Sequence, residues 1–453
     1  MVGVEDGVTF ADRVSPQPTS TVVMATSSNK SRHRIILAFL LNPHPDAEVC
    51  HVRHTLPAST KERLSPMTRA AVIGLGRIAS TWDEERSKYD GWHLPHAHIG
   101  CMSAVPEIEI VGLSDTWTEQ RDAARAKWGI DALFEDYREM LDRTRPQIVS
   151  ICTSMKPRKD ILLDIAKNNY GIQAIWSEKP LTYSLADADE VIQALRTANI
   201  ALAVNCTHRW RDSFLQAREM IDDGLIGDVL HVDGNLACNL SHNGSHLITR
   251  LTTFTDAPVA WVAGEAESDE AVSGDDDFPG NGYFVCENGV RGQFRGMHTG
   301  ALDLTYDITG TEGMIRFTDD SRVADLWRIE EGLPGQPGTA PVRHFFRPSH
   351  EPRAAGVNTL YDLIHCIETG SDPKCTGEDA REALEVAIAV RESHRQGGGR
   401  IDLPIADRSQ GIVSREVLVS ELPRAILRQR DGMSAVEWKQ FQSENRTQGT
   451  KET

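Results

Sequence analysis

The segment Ala70-Ala71-Val72-Ile73-Gly74-Leu75-Gly76-Arg77-Ile78-Ala79 constrains this chain more than any other. It reads as a short apolar strand entering a GxGxxA turn. In such a turn the first glycine permits the reversal and the second lets the backbone approach a pyrophosphate. The small third residue allows a helix to pack closely on the strand, and the pyrophosphate rests at the helix N-terminus. The pattern is informative only when a strand precedes it and βαβ units follow.

Downstream, that context is met. Strand patterns at 69–74, 108–114, 147–153, 172–177 and 201–205 alternate with helical patterns at 118–128, 159–169 and 185–198. A brief strand at 133–134 precedes a helix at 136–143, and residues 81–95 form a Trp- and His-containing insertion before a helix at 97–104. This alternation predicts parallel βαβ units. After about residue 205 it stops. A helix at 213–222 leads to strands at 229–237, 282–287, 290–298, 302–310 and 313–317, then helices at 358–369 and 377–395 and a strand at 401–403. The predicted fold class is α/β: an N-terminal doubly wound parallel sheet plus a C-terminal α+β domain with a mostly antiparallel sheet. The predicted segments are a disordered extension at 1–66, a dinucleotide-binding domain at 67–204, a second domain at 205–405 and a charged tail at 406–453.

Charge narrows the partners. Lys plus Arg number 48 against 66 Asp plus Glu, a net −18. That balance argues against a general nucleic-acid binder, which needs cationic contacts to phosphate, but it leaves room for a local basic pocket. No apolar run approaches the roughly 18 residues a membrane helix needs. The eight cysteines include no CxxC pair. They read as reduced core residues in a reducing, cytoplasmic setting.

Two further places carry chemistry. Asp115 ends the second strand, where a carboxylate hydrogen-bonds the adenosine ribose; it would repel a 2′-phosphate, so NAD is expected over NADP, with Arg121 close enough to keep NADP open. The alternative for Asp115 is a helix cap. Ile175-Trp176-Ser177-Glu178-Lys179-Pro180 puts two opposite charges at the C-terminal end of a strand, over the crevice where open α/β sheets bind ligands. Lys179 could there meet a substrate oxygen; the plain alternative is an exposed ion pair of little worth. His242 and His246 lie four apart, but no Glu follows His242 and no third ligand is evident, so no metal is expected. His93, His96, His98, His208 and His231 are further histidines that could line the site, and Trp210 could line it or simply pack.

With these residues in view, the chain resembles the Gfo/Idh/MocA family of oxidoreductases. The resemblance rests on Gly74-Leu75-Gly76-Arg77-Ile78-Ala79, Glu178-Lys179-Pro180, Gly224-Leu225-Ile226-Gly227 and Asn243-Gly244-Ser245-His246, and covers about residues 67–405. It implies that the first domain is a Rossmann domain, that the second has an open sheet serving substrate binding and oligomerisation, and that the chain takes a bound nicotinamide cofactor and a sugar or cyclitol substrate as a homo-oligomer (dimer or tetramer). It also implies that Gly74, Gly76, Arg77, Ile78, Asp115, Thr153, Ser154, Glu178 and Lys179 bind the cofactor, that Lys179 contacts the substrate hydroxyl, and that His246 is the acid/base. His242, expected with Lys179 and His246 to be catalytic, and Thr249 stand where the family usually has Asp. Alternatives are a non-catalytic nucleotide- or sugar-sensing regulator and an NAD-dependent glycoside hydrolase. Oxidising an alcohol requires removal of a proton as well as a hydride, and an imidazole with an ordinary pKa near 6.5 suits the proton.

Overall fold

The computed structural model describes residues 67–86, 94–297, 305–318, 323–332, 338–344 and 352–413. The extension expected at 1–66, the tail beyond 413, and His93 lie outside these residues.

The N-terminal lobe runs β1 (Thr68–Ile73), α1 (Arg77–Ser80), α2 (Trp82–Arg86), α3 (His98–Ser103), β2 (Ile108–Ser114), α4 (Thr118–Trp128), β3 (Leu133–Phe134), α5 (Tyr137–Thr144), β4 (Ile148–Ile151), α6 (Met155–Lys167), β5 (Ala174–Ser177), α7 (Leu185–Thr197) and β6 (Ala201–Val204). The six strands form one parallel sheet in the order β3-β2-β1-β4-β5-β6. Strand side chains alternate between faces. Ala70, Val72, Trp176 and Ala203 join one core; Ala71, Ile73, Ile175 and Val204 join the other. The helix expected after the glycine turn is a single turn, α1, and Thr81 separates it from α2. The insertion that follows Ser80 takes the place of a continuous helix.

The second lobe comprises a 3-10 turn (Thr207–Trp210), α8 (Asp212–Asp222), β7 (Val229–Asn235), α9 (Gly244–Thr252), β8 (Val259–Ala266), β9 (Gly280–Cys286), β10 (Arg291–Arg295), β11 (Tyr306–Gly310), β12 (Gly313–Thr318), β13 (Val323–Glu331), β14 (Thr339–His344), α10 (Ala355–Thr369), α11 (Gly377–Arg395) and β15 (Ile401–Asp402). Its nine strands follow the order β14-β13-β12-β11-β7-β10-β9-β8-β15. All neighbours are antiparallel except β7 and β10. Phe214, Met220, Leu247, Leu251, Val386 and Val390, from α8, α9 and α11, share one core with Val232, Phe284 and Ile308 of the sheet.

Two elements cross the lobe boundary drawn from sequence. Ala355, Leu360 and Leu363 of α10 are buried in the core of the parallel sheet, beside Trp176 and Trp210. Residues 406–413, expected to begin a tail, are instead bound to the start of α7: Leu185 and Ala186 donate backbone hydrogen bonds to Gln410 and Arg408, and Ile412 donates to Tyr183. α11 opens with a reciprocal cap in which Thr376 accepts from the Asp379 N–H and Asp379 accepts from the Thr376 N–H, satisfying donors that a helix start leaves over. All seven described cysteines are free thiols. Among the described residues no helix is long and apolar enough to cross a membrane.

Candidate active site

The glycine turn and the loop after β4 touch. Gly74 adopts φ +87°, and a Cβ there would stand 2.9 Å from the Thr153 nitrogen, so both conformation and space require glycine. At Gly76 a Cβ would meet nothing within 4 Å, which leaves the backbone open to a ligand. Thr153 Oγ1 is buried beside this turn with no hydrogen-bond partner among the described residues. Ser154 caps the N-terminus of α6 through its backbone alone. Arg77 is exposed and its guanidinium lies over the Trp82 ring at 4.7 Å; Ile78 is half-buried against the core. The turn, Thr153 and the start of α6 thus fit a dinucleotide.

Asp115 does two jobs. Its Oδ2 accepts from the Leu75 N–H at 2.7 Å and its Oδ1 from the Trp117 N–H at 2.9 Å. It therefore braces the glycine turn from β2 while remaining partly exposed, with lone pairs to spare for a ribose. Arg121 is held close by, donating to the Asp115 carbonyl at 2.6 Å.

Glu178 and Lys179 are not an exposed pair. Glu178 is 8% exposed and Lys179 is half-buried. Glu178 Oε1 accepts from His98 Nε2 at 3.0 Å and from Asn205 Nδ2. Asn205 Oδ1 accepts from Trp176 Nε1 at 3.1 Å, which fixes the amide orientation and points Nδ2 at the carboxylate. His98 is fully buried, stacked on Trp176 at 3.6 Å, with Nδ1 at 2.6 Å from Ser150 Oγ. Burial opposes both charges. Even so, Cys152 and Glu178 raise His98 to about 9, while His98, Lys179 and Asn205 lower Glu178 to about 2. Arg158 of α6, also buried, donates to the carbonyls of Thr153 and Pro180 and so ties the cofactor loop to the Glu-Lys-Pro turn.

Lys179 then reaches the second lobe. Its Nζ donates to the His242 carbonyl at 3.1 Å and lies 3.5 Å from His242 Nε2. The loop before α9 is held from behind by Asp277, whose oxygens accept from the Ser241 and His242 N–H groups at 2.7 and 2.9 Å. Asp277 is buried, and burial pushes its carboxyl up to about 6 against the pull of those N–H groups and of Lys179. His246, on the first turn of α9, meets the His208 ring edge-on at 5.3 Å. Burial first, then Lys179, Arg250 and His242, hold His246 well below its ordinary value, so it is neutral at pH 7. His208 is lowered in the same way by burial and by Arg211 and Arg250.

Lys179, His242 and His246 therefore converge, and the residues around Gly74 meet Thr153. The remaining histidine and Trp candidates divide. His208 joins the site, whereas His231 pairs with Asp233 on β7, and Trp210 is core, donating to Asp362 at 2.8 Å. Thr249 is buried and its hydroxyl bonds the Ser245 carbonyl at 2.6 Å. Sequence reasoning missed Asp277, Arg158 and Arg250, and left His98 unassigned. Arg158 carried a signal: it falls with Met155, Ile161, Leu162 and Ile165 on the buried face of α6.

Residues 68–206 match the model of GFO_IDH_MocA, an oxidoreductase family with an NAD-binding Rossmann fold. The chain is 21% identical over 351 residues to myo-inositol 2-dehydrogenase of Thermotoga maritima, covering 72% of this chain and 96% of that one. It is 24% identical over 353 residues to scyllo-inositol 2-dehydrogenase (NAD(+)) of Bacillus subtilis, covering 73% and 94%. Among solved structures, the WlbA dehydrogenase from Bordetella pertussis in complex with NADH and UDP-GlcNAcA superposes with a TM-score of 0.56 at 18% identity, covering 75% of this chain and 99% of that one.

Proposed function

We propose that this chain, whose residues 68–206 belong to the Gfo/Idh/MocA oxidoreductase family, moves a hydride between NAD(P) and a secondary alcohol or ketone of a sugar, sugar derivative or cyclitol. The observation that carries the reading is the meeting of two lobes at one amine: Lys179, at the end of β5, lies 3.1 Å from the carbonyl of His242, four residues before His246. Relatives named as inositol dehydrogenases support the substrate class and do not favour the regulator or hydrolase alternatives.

The Gly74–Gly76 turn, Thr153, Ser154 and Asp115 hold the dinucleotide, which supplies the hydride acceptor or donor. Lys179 donates to the substrate oxygen and stabilises negative charge that develops there. His246, neutral because burial and nearby cations disfavour its charged form, accepts the hydroxyl proton and returns it in reduction. Glu178 is held by His98 and Asn205 and sets the backbone from which Lys179 projects. The assembly is a homo-oligomer with a small sugar or polyol as its substrate.

The test is Lys179→Ala and His246→Ala, each assayed for NAD affinity and for NADH formation on a polyol panel. Both variants are expected to keep cofactor binding and lose turnover by at least ~10²-fold, the lower end for acid–base groups. Wild-type rates in either variant would remove that residue from the reaction. Sugar release without net NADH would instead support the hydrolase.

A further inference from the structure

Among the described residues, the buried arginines are neutralised or bound to carbonyls, with one exception. Arg209 meets Asp379 at 3.1 Å, and Arg391 meets Asp275 and Glu392, each at 3.0 Å. Arg158 donates to the Thr153 and Pro180 carbonyls. Arg250 is 3% exposed, yet among the described residues no carboxylate stands within ion-pair distance of it. Its Nη atoms reach the Tyr306 hydroxyl and the His208 ring, its plane lies over Tyr306 at 4.6 Å, and its buried Nε has no protein partner. A guanidinium keeps its charge at any accessible pH. A buried charge without a counter-charge is costly, and a protein that retains one gains by having a ligand supply the opposite sign.

Position makes this a matter of substrate. Arg250 is four residues after His246 on α9, so the two share a helix face, and His208 lies against both. Lys179 and Arg211 add positive charge around His246. Of the described carboxylates in this site, Glu178 is engaged by His98 and Asn205, and Asp277 by the N–H groups of Ser241 and His242. The site is thus locally cationic inside a chain of net charge −18.

We propose that Arg250 anchors an anionic oxygen group of the substrate, a carboxylate or a phosphate ester, so that this site takes charged sugars or polyols in preference to their neutral parents. The proposal rests on the oxidoreductase reading and names its substrate class. A guanidinium fork matches either group, since both present two coplanar acceptor oxygens.

The experiment is calorimetric titration of the full chain, with NADH present, against matched trios: D-glucose, D-glucuronate and D-glucose 6-phosphate, and the corresponding galactose series. NADH formation from NAD is followed in parallel. At least one anionic member is expected to bind about tenfold or more tightly than its neutral parent, as charge-assisted hydrogen bonds allow. Arg250→Gln should erase that preference while leaving NADH affinity unchanged. Arg250→Lys, which keeps the charge and loses the fork, should retain part of it. Whether glucuronate or the phosphate gains identifies the group. Neutral parents that bind as tightly, anionic members that fail to bind, or an intact preference in Arg250→Gln would overturn the proposal. The comparison in the wild-type protein decides it even if a variant fails to fold. Anionic ligands that bind with no reduction of NAD would leave this proposal standing and refute the oxidoreductase reading.

Discussion

Replacing His98 with leucine tests whether the pair beneath Lys179 holds the site together. In the wild type the imidazolium donates one ring N–H to Ser150 and the other to Glu178, with the ring stacked on Trp176 and wholly removed from water. The variant leaves the Glu178 carboxylate buried with Asn205 as its remaining side-chain hydrogen-bond donor. Breaking one half of a buried pair costs about 3–5 kcal/mol. Burial opposes the imidazolium, yet Cys152 and then Glu178 raise His98 from 6.5 to about 9, so the pair with Glu178 accounts for part of that rise.

The sign follows from linkage. The His98 value is raised in the fold, so its contribution is complete below 6.5 and is lost as pH climbs through 9. The Glu178 value is depressed, so its contribution is complete above 4.5 and is lost as pH falls through about 2. Between pH 4.5 and 6.5 both are complete. Urea unfolding followed by far-UV circular dichroism should therefore show the largest deficit for His98→Leu near pH 5.5, shrinking toward pH 9.5. In a cycle with Glu178→Gln, the double variant should be more stable than additivity predicts, by at least about 1 kcal/mol. A deficit under about 1 kcal/mol, or one that is the same at both pH values, would show that the two groups are not paired charges.

Three other substitutions probe separate links. Gly74→Ala forces a Cβ to 2.9 Å from the Thr153 nitrogen at φ +87°; a loss of about 1–3 kcal/mol and a weakened NAD affinity are expected, and unchanged calorimetric binding would deny the turn its role. Asp115→Ala removes the acceptor for the Leu75 and Trp117 N–H groups, so it should lower the melting temperature as well as narrow the gap between NAD and NADP affinities. Lower stability with unaltered selectivity would leave Asp115 as a brace only. Asp277→Asn can accept with only one oxygen where the carboxylate serves two N–H groups. Activity should fall at least ~10-fold, and the wild type should lose kcat/KM as pH drops through about 6, where Asp277 gains its proton. A wild-type profile flat across that range would exclude it.

What was legible in the sequence was what short-range pattern determines. Alternating apolar strands, the glycine turn and the long amphipathic α11 all depend on neighbours within a few residues, and their boundaries fall where the pattern changes. β8, β13 and β14 were not anticipated, although each pairs with a neighbouring strand in the sheet. β13 and β14 mix charged and apolar residues, which blurs the alternation that marks a strand. α10 was legible as a helix, but nothing local says that it leaves its own sheet to cover the other one. The site divides along the same line. Lys179 announces itself by ending a buried strand on charge. Asp277 does not, because its meaning comes from two backbone N–H groups some 35 residues away in sequence. Arg250 looks like any helix arginine until the described residues around it are found to offer no carboxylate within ion-pair distance.

Within the proposed mechanism, the departure at position 242 has a structural answer. His242 contributes its backbone more than its imidazole: its carbonyl accepts from Lys179 and its N–H donates to Asp277. Asp277 therefore brings a carboxylate to the same loop, from the connection between β8 and β9, although position 242 itself holds none. That carboxylate holds the Ser241–His242 backbone, and so the carbonyl to which Lys179 donates. His246 is the base in this reading. It lies on a helix, and burial together with Lys179, Arg250, His242 and Arg211 keeps it uncharged at pH 7. An imidazole already protonated could not take the hydroxyl proton, so the cations that would anchor an anionic substrate also keep the base ready to accept it.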